Sequence, residues 1–152
     1  MKILLAVDDS KFSQAALRLL LTQYQPRKTR VRVLHVVEPL ETPYYPELTI
    51  PYPTSLEDIS KKRLKSGRDL ATRVTAKLHA SGFAVDNSVL VGHPRPAIID
   101  VASKWHAELI IVGSHGRRGL ERLLLGSVAD YVAHHASCSV LIVRTRKRRG
   151  VS

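Results

Sequence analysis

Between Glu108 and Val132 the chain reads ELIIVGSHGRRGLERLLLGSVADYV, and three physical requirements follow one another without a gap. Leu109-Ile110-Ile111-Val112 is a short, β-branched apolar run of the kind that makes a buried strand. Gly113 and Gly116 follow, then an arginine-rich turn closed by Gly119. Gly126-Ser127 stands directly before a helical pattern in which Val128, Tyr131, Val132 and His135 recur at three-and-four spacing. Glycine lets backbone N–H groups come close to a ligand because no Cβ intervenes. A helix N-terminus adds unpaired donors and the positive end of a dipole. Strand, glycine loop and helix start together predict a site for a phosphate group.

The rest of the chain supplies matching elements. Ile3 to Val7 is a continuous apolar run suited to a central parallel strand, and Asp8-Asp9-Ser10 offers caps for a helix bearing Phe12, Ala15, Ala16, Leu19 and Leu20. Val31–Val37 reads as a second strand stopped by Pro39. Residues 40–54 interleave prolines with Tyr44, Tyr45 and Tyr52, which predicts an extended loop: a lid, a partner surface or a plain insertion. A long helix follows from Ser55 to His79, with Ile59, Arg63, Leu70, Val74 and Leu78 along one side and Gly82 at its end. Val85–Val91 alternates as a third strand, and Pro96 suits the first position of a helix carrying Ile98, Val101, Ala102 and Trp105. Ser139 to Arg144 is a fifth strand, followed by the basic run Arg146–Arg149. Five strands alternating with four helices predict a single doubly wound parallel α/β domain with helices on both faces.

Composition narrows the function classes. A net charge of +11 draws the chain toward polyanions, although a solvated basic surface has the same composition. The lone Cys138 excludes an internal disulfide framework and reads as a small buried thiol. No run approaches the ~20 apolar residues that span a bilayer. Met1-Lys2 leads straight into a strand, so no signal peptide is expected and residence is expected to be cytoplasmic. The seven histidines show no metal-ligand spacing; His134 and His135 are adjacent on a helix and point ~100° apart.

At Gly113, Gly116, Gly126 and Ser127 the sequence fits Gly-x2-Gly-x9-Gly-Ser/Thr and resembles the ATP-binding members of the universal stress protein family. KILLAVDDS at the start, LHVVEP after the second run and SCSVLIVR at the close are similar to that family as well, so the likeness spans Lys2 to Arg144. It implies strand order 3-2-1-4-5 in an adenine nucleotide alpha hydrolase-like fold over residues 1–144, with 145–152 as a basic tail. It also implies a homodimer through edge pairing of strand 5, whose run Ser139–Val143 is an apolar edge needing cover. The switch point would then lie between strands 1 and 4, where open α/β sheets bind ligands.

On that resemblance the nucleotide-binding residues are Ala6, Val7, Asp8, Val36, Gly113, Ser114, His115, Gly116, Gly126, Ser127 and Val128. Ala6 and Val7 would line the site, and the Val36 backbone would meet adenine. The glycine loop would wrap ribose and phosphates, while the backbone of 126–128 and the Ser127 hydroxyl would hold the terminal phosphates. Asp8 would touch the ribose or hold Mg²⁺ through water. Each has a plainer reading: Gly113 and Gly116 as a positive-φ turn, Ser127 as an N-cap, Asp8 or Asp9 as the cap of the first helix. Arg117 and Arg118 reach either a triphosphate or solvent. His115 has no neighbour in sequence to orient it as a base, so no catalytic residue is assigned. The P-loop pattern Gly-x4-Gly-Lys-Ser/Thr is absent. The sequence therefore points to a module binding ATP, ADP or AMP, with Mg²⁺ beside ATP, that uses occupancy as a signal. The alternatives are a slow ATPase and a nucleotide-free interaction protein whose basic surface binds a polyanion, nucleic acid included, or a protein partner.

Overall fold

The computed structural model describes residues 1–40, 55–116 and 124–145. The expected loop at 41–54, Arg117, Arg118 and Gly119, and the basic run Arg146–Arg149 lie outside the described residues. The element order is β1 (Lys2–Ala6), α1 (Lys11–Gln23), β2 (Arg30–Val37), α2 (Ser55–Ala80), β3 (Ala84–Val91), α3 (Pro94–Trp105), β4 (Leu109–Gly113), α4 (Ser127–His135) and β5 (Ser139–Val143). A 3-10 turn at Pro26–Lys28 precedes β2. The strands form one parallel sheet in the order β3-β2-β1-β4-β5, as the resemblance implied. Ile3 pairs with Val31 on one side and Leu109 on the other, so β1 sits at the centre.

Alternation along the strands divides the core in two. Ile3, Leu5, Val31, Val33, Leu109 and Ile111 pack under α1 and α2 with Leu17, Leu20, Val74 and Leu78. Leu4, Ala6, Leu34, Ile110 and Val112 pack under α3 and α4 with Ile98, Ala102, Ala129 and Val132. Strands covered on both faces need apolar residues at every position, which explains why β1 and β4 read as unbroken runs.

Local chemistry sets the boundaries. Ser10 caps α1, its hydroxyl accepting from Ser13 N–H at 3.1 Å. This corrects the reading that placed Asp8 or Asp9 at the cap. The buried face of α1 is Phe12, Ser13, Ala16, Leu17 and Leu20; Ala15 and Leu19 sit at its margin. The end of α2 is a Schellman motif: Phe83 N–H donates to Leu78 O at 3.1 Å and Gly82 N–H to His79 O at 2.9 Å, with Gly82 at φ +88°. Helix α3 begins at Pro94, two residues before the expected start. Both prolines fit because Pro94 and Pro96 occupy a first turn whose N–H groups have no intrahelical acceptor.

His106 ends α3 at φ 56°, a left-handed conformation usually given to glycine. Trp105 packs at the edge of the α3 side, where Arg32 stands 4.9 Å from its ring centre and Lys2 5.7 Å. Arg32 also makes a bidentate pair with Asp86 across β2 and β3, and the Asp86 hydrogen bond raises its pKa above the usual guanidinium value. Cys138 is half-buried rather than buried; its desolvation pushes the thiol pKa up.

Candidate functional site

Two segments distant in sequence meet beyond the carboxyl ends of β1 and β4. A Cβ on Gly116 would stand 3.1 Å from Asp8 Oδ2, so the glycine loop faces the end of β1 directly. Asp8 is held from within its own turn. Its Oδ1 accepts from Ser10 N–H at 3.0 Å, and its own N–H donates to Ser13 Oγ at 3.1 Å. These bonds leave Oδ2 as the carboxylate oxygen turned toward Gly116.

The three motif glycines serve different ends, and none has a positive φ; among the described glycines only Gly82 and Gly92 do. The positive-φ reading of Gly113 and Gly116 is thereby corrected. Gly113 is buried, and a Cβ there would meet Phe12 Cβ at 2.8 Å and Phe12 backbone C at 2.9 Å. It lets the first turn of α1 rest on the end of β4. Gly126 brings the start of α4 against the loop: its N–H donates to Ser114 O at 2.8 Å, and a Cβ would lie 3.0 Å from His115 Cα. Gly116 alone opens toward the crevice, where an added side chain would crowd a carboxylate.

Ser114 and His115 tie this loop together. Ser114 is buried; its N–H donates to Val143 O and its carbonyl accepts from Gly126. His115 Nε2 lies 2.7 Å from Leu124 O. A carbonyl can only accept, so Nε2 donates to it, while Nδ1 lies 3.0 Å from the Ser114 hydroxyl and is hydrogen-bonded to it. The Phe12 ring packs on the imidazole at 5.0 Å. Contrary to the expectation that no neighbour orients His115, Ser114 at the adjacent position does so, together with Leu124 nine residues on. They engage both ring nitrogens, which makes it a clasp between Ser114 and Leu124.

Helix α4 starts at Ser127, with Gly126 at the N-cap. The N-cap reading of Ser127 is therefore corrected: it is the first helical residue, exposed, and Gly126 has no side chain with which to cap. Asp130 N–H makes the first helical bond, to Gly126 O at 2.9 Å. The N–H groups of Ser127 and Val128 precede it, in the part of a helix that lacks internal acceptors and favours an anion.

The β1–β2 lip completes the arrangement. Val7 N–H donates to Leu34 O at 2.8 Å, which carries the ladder one residue past β1. Ala6 and Val36 lie on the α3 side of the sheet, with Ala6 opposite Leu34 and Val36 two residues further on. His35 points to the other face, is 4% exposed, and its Nδ1 lies 2.8 Å from Val7 O. That proton holds the carbonyl of the residue preceding Asp8. Sequence reasoning passed over His35, Ser13 and Gly67. The last is a glycine inside a helix, and a Cβ on it would lie 2.6 Å from His35 Cδ2. Because mid-helix glycine costs ~1 kcal/mol relative to alanine, Gly67 was the available signal that α2 comes unusually close to something.

With this geometry established, known proteins can be compared. The sequence pattern of the universal stress protein family matches residues 1–144. The chain belongs to that family. Universal stress protein MJ0531 of Methanocaldococcus jannaschii is 31% identical over 147 residues, covering 97% of this chain and 84% of its own. Among solved structures, the MJ0577 protein of the same organism superposes with a TM-score of 0.82 at 27% identity, over 96% of both chains. Three more distant universal stress proteins share the fold at 19 to 22% identity, TM-scores of 0.59 to 0.68 and at least 94% coverage of both chains. One, from Arabidopsis thaliana, has AMP bound; one is a complex with cAMP; one, from Archaeoglobus fulgidus, is a complex with dAMP. No described helix of this universal stress protein is long and apolar enough to cross a membrane.

Proposed function

We propose that the crevice between Asp8 and the glycine loop binds an adenine nucleotide, ATP in particular, and that occupancy is the signal the protein transmits. The observation that carries this reading is the approach of Gly116 to Asp8 beside the glycine-capped start of α4. The nucleotides in the three family members above support adenine as the base. Gly113, Ser114 and Gly126 build the rim, because their close contacts and hydrogen bonds run inward. Ligand contact falls to Gly116, to the N–H groups of Ser127 and Val128 with the Ser127 hydroxyl, and to Ala6, Val7 and the Val36 main chain at the base.

Asp8 Oδ2 is a single carboxylate oxygen beside the phosphate position, which suits Mg²⁺: that ion keeps most of its waters and takes one or two carboxylates plus phosphates. Mg²⁺ there would offset charge between Asp8 and the terminal phosphates. The half-buried apolar edge of β5 supports pairing with a second copy.

The test uses purified protein never exposed to added nucleotide. Denaturation and mass spectrometry should release adenine nucleotide from the wild type. A Gly126→Asp variant with unchanged circular dichroism should release none, because a Cβ at 126 would press on His115 Cα and Ser114 O and displace the glycine loop. A wild type that is empty and also fails to bind added Mg-ATP would overturn the proposal.

A further inference from the structure

The two helical layers carry unlike charge. Helices α1 and α2 with the turn Pro26–Lys28 contain eleven lysines and arginines against three acids, whereas α3 and α4 contain two of each. Among the described helices, the positive excess is therefore concentrated on one side of the sheet. On α2, Lys61, Lys65 and Arg68 are exposed at i, i+4 and i+7, so they share one face. Lys62, Arg73 and Lys77 form a second exposed strip beside it. Among the described residues, Lys61 is the one member of these strips with an acidic partner, Glu57 at 3.8 Å, and that pair is exposed. The 3-10 turn extends the patch: a Cβ on Gly82 would lie 3.6 Å from Pro26, which sets Arg27 and Lys28 beside the end of α2.

We propose that this face of α2 binds the phosphate backbone of duplex nucleic acid without reading its sequence. At 1.5 Å rise per residue, Lys61, Lys65 and Arg68 are spaced by about 6 and 4.5 Å along the axis, so their long side chains can reach separate phosphates on a strand that carries one every ~3.4 Å of axis. The platform is rigid, because Gly67, Ala71, Val74 and Leu78 on the opposite side are buried. That burial also argues against a membrane surface, since an interfacial helix must have its apolar face free. Residues 55–80 contain no Phe, Trp or Tyr. A single-strand site needs such rings for stacking, and a protein interface draws its anchors from them. What remains is a face on which six lysines and arginines outnumber the exposed Glu57, Asp58 and Asp69, a net positive strip that fits a row of anions. The surface shares no residue with the nucleotide crevice.

The experiment is fluorescence anisotropy of two labelled 20-base-pair DNA duplexes of unrelated sequence, titrated with the full chain from 50 to 200 mM salt. Both duplexes should bind alike, with affinity falling about 100-fold across that range if ~4 phosphates are neutralised. The triple variant Lys61→Gln, Lys65→Gln, Arg68→Gln should lower the log–log salt slope by about 2 to 3 and leave adenine-nucleotide retention unchanged. Neutralising Arg95 and Lys104 on the other layer should leave the slope as it was. So should replacing Arg146, Lys147, Arg148 and Arg149 by glutamine. Absence of duplex binding at 50 mM salt, an unchanged slope in the triple variant, or loss of binding with the tail replacements alone would overturn the proposal. So would binding confined to single strands, to phosphatidylserine vesicles or to acidic protein.

Discussion

The two faces of the sheet are built on different principles. Under α3 and α4 the core is aliphatic, and the described buried polar residues all lie elsewhere. Under α1 and α2 the packing includes His35 and Ser13, and two glycines, Gly67 and Gly113, let helix backbones approach the sheet more closely than any side chain allows. Each of these features bears on the turn at the end of β1. Gly113 seats Phe12, Ser13 receives Asp8 N–H, and Gly67 makes room for the imidazole that holds Val7 O. One face supplies cohesion through area alone; the other gives up area to fix the position of a loop.

This contrast can be broken from either side. The largest effect is expected on the aliphatic face: Ile110→Ala should cost about 3–4 kcal/mol in urea unfolding, through lost burial and a cavity. Adenine-nucleotide affinity should be retained where that variant remains folded. Gly67→Ala should cost about 2 kcal/mol by overpacking despite a better helix propensity, and it should also weaken nucleotide binding because the imidazole must move. A stabilised Gly67→Ala protein would show that α2 does not press on His35. Ser10→Ala should lose about 1 kcal/mol as an N-cap with little effect on nucleotide binding, since the backbone N–H that holds Asp8 Oδ1 is kept. On the α3 side, His106→Gly should gain about 1 kcal/mol by relieving the left-handed residue without changing binding. The smallest effect concerns Cys138, whose raised pKa keeps it a thiol at neutral pH; it should react with a disulfide reagent several-fold more slowly than a free thiol.

The aliphatic face was largely legible in sequence, because a strand buried on both sides must be apolar throughout and the runs at Ile3 and Leu109 could be little else. Its order in the sheet was not: periodicity records which residues are buried, not which strand lies beside which, and the order came with the family likeness. The polar face was harder to read. His35 interrupts no pattern, and its carbonyl partner is 28 residues away. Ser10 was one of three cap candidates, and type alone does not choose it over Asp8 or Asp9; the cap at Gly126 was passed over for Ser127, a good capping residue by type. His115 was judged unoriented because its second partner, Leu124 O, lies nine residues on, beyond a turn that local reasoning does not close.

That closure has a consequence for how the protein can vary. Ser114 and Gly126 are joined by a backbone hydrogen bond, and His115 reaches across to Leu124, so the two ends of the intervening segment are already fastened to each other. The entropy of closing a loop grows slowly, by about 0.6 kcal/mol for each doubling of length. Residues could thus be inserted between 117 and 123 at small thermodynamic cost to the rim. A reporter peptide or a new recognition sequence could be grafted there while Ser114 and Gly126 stayed joined.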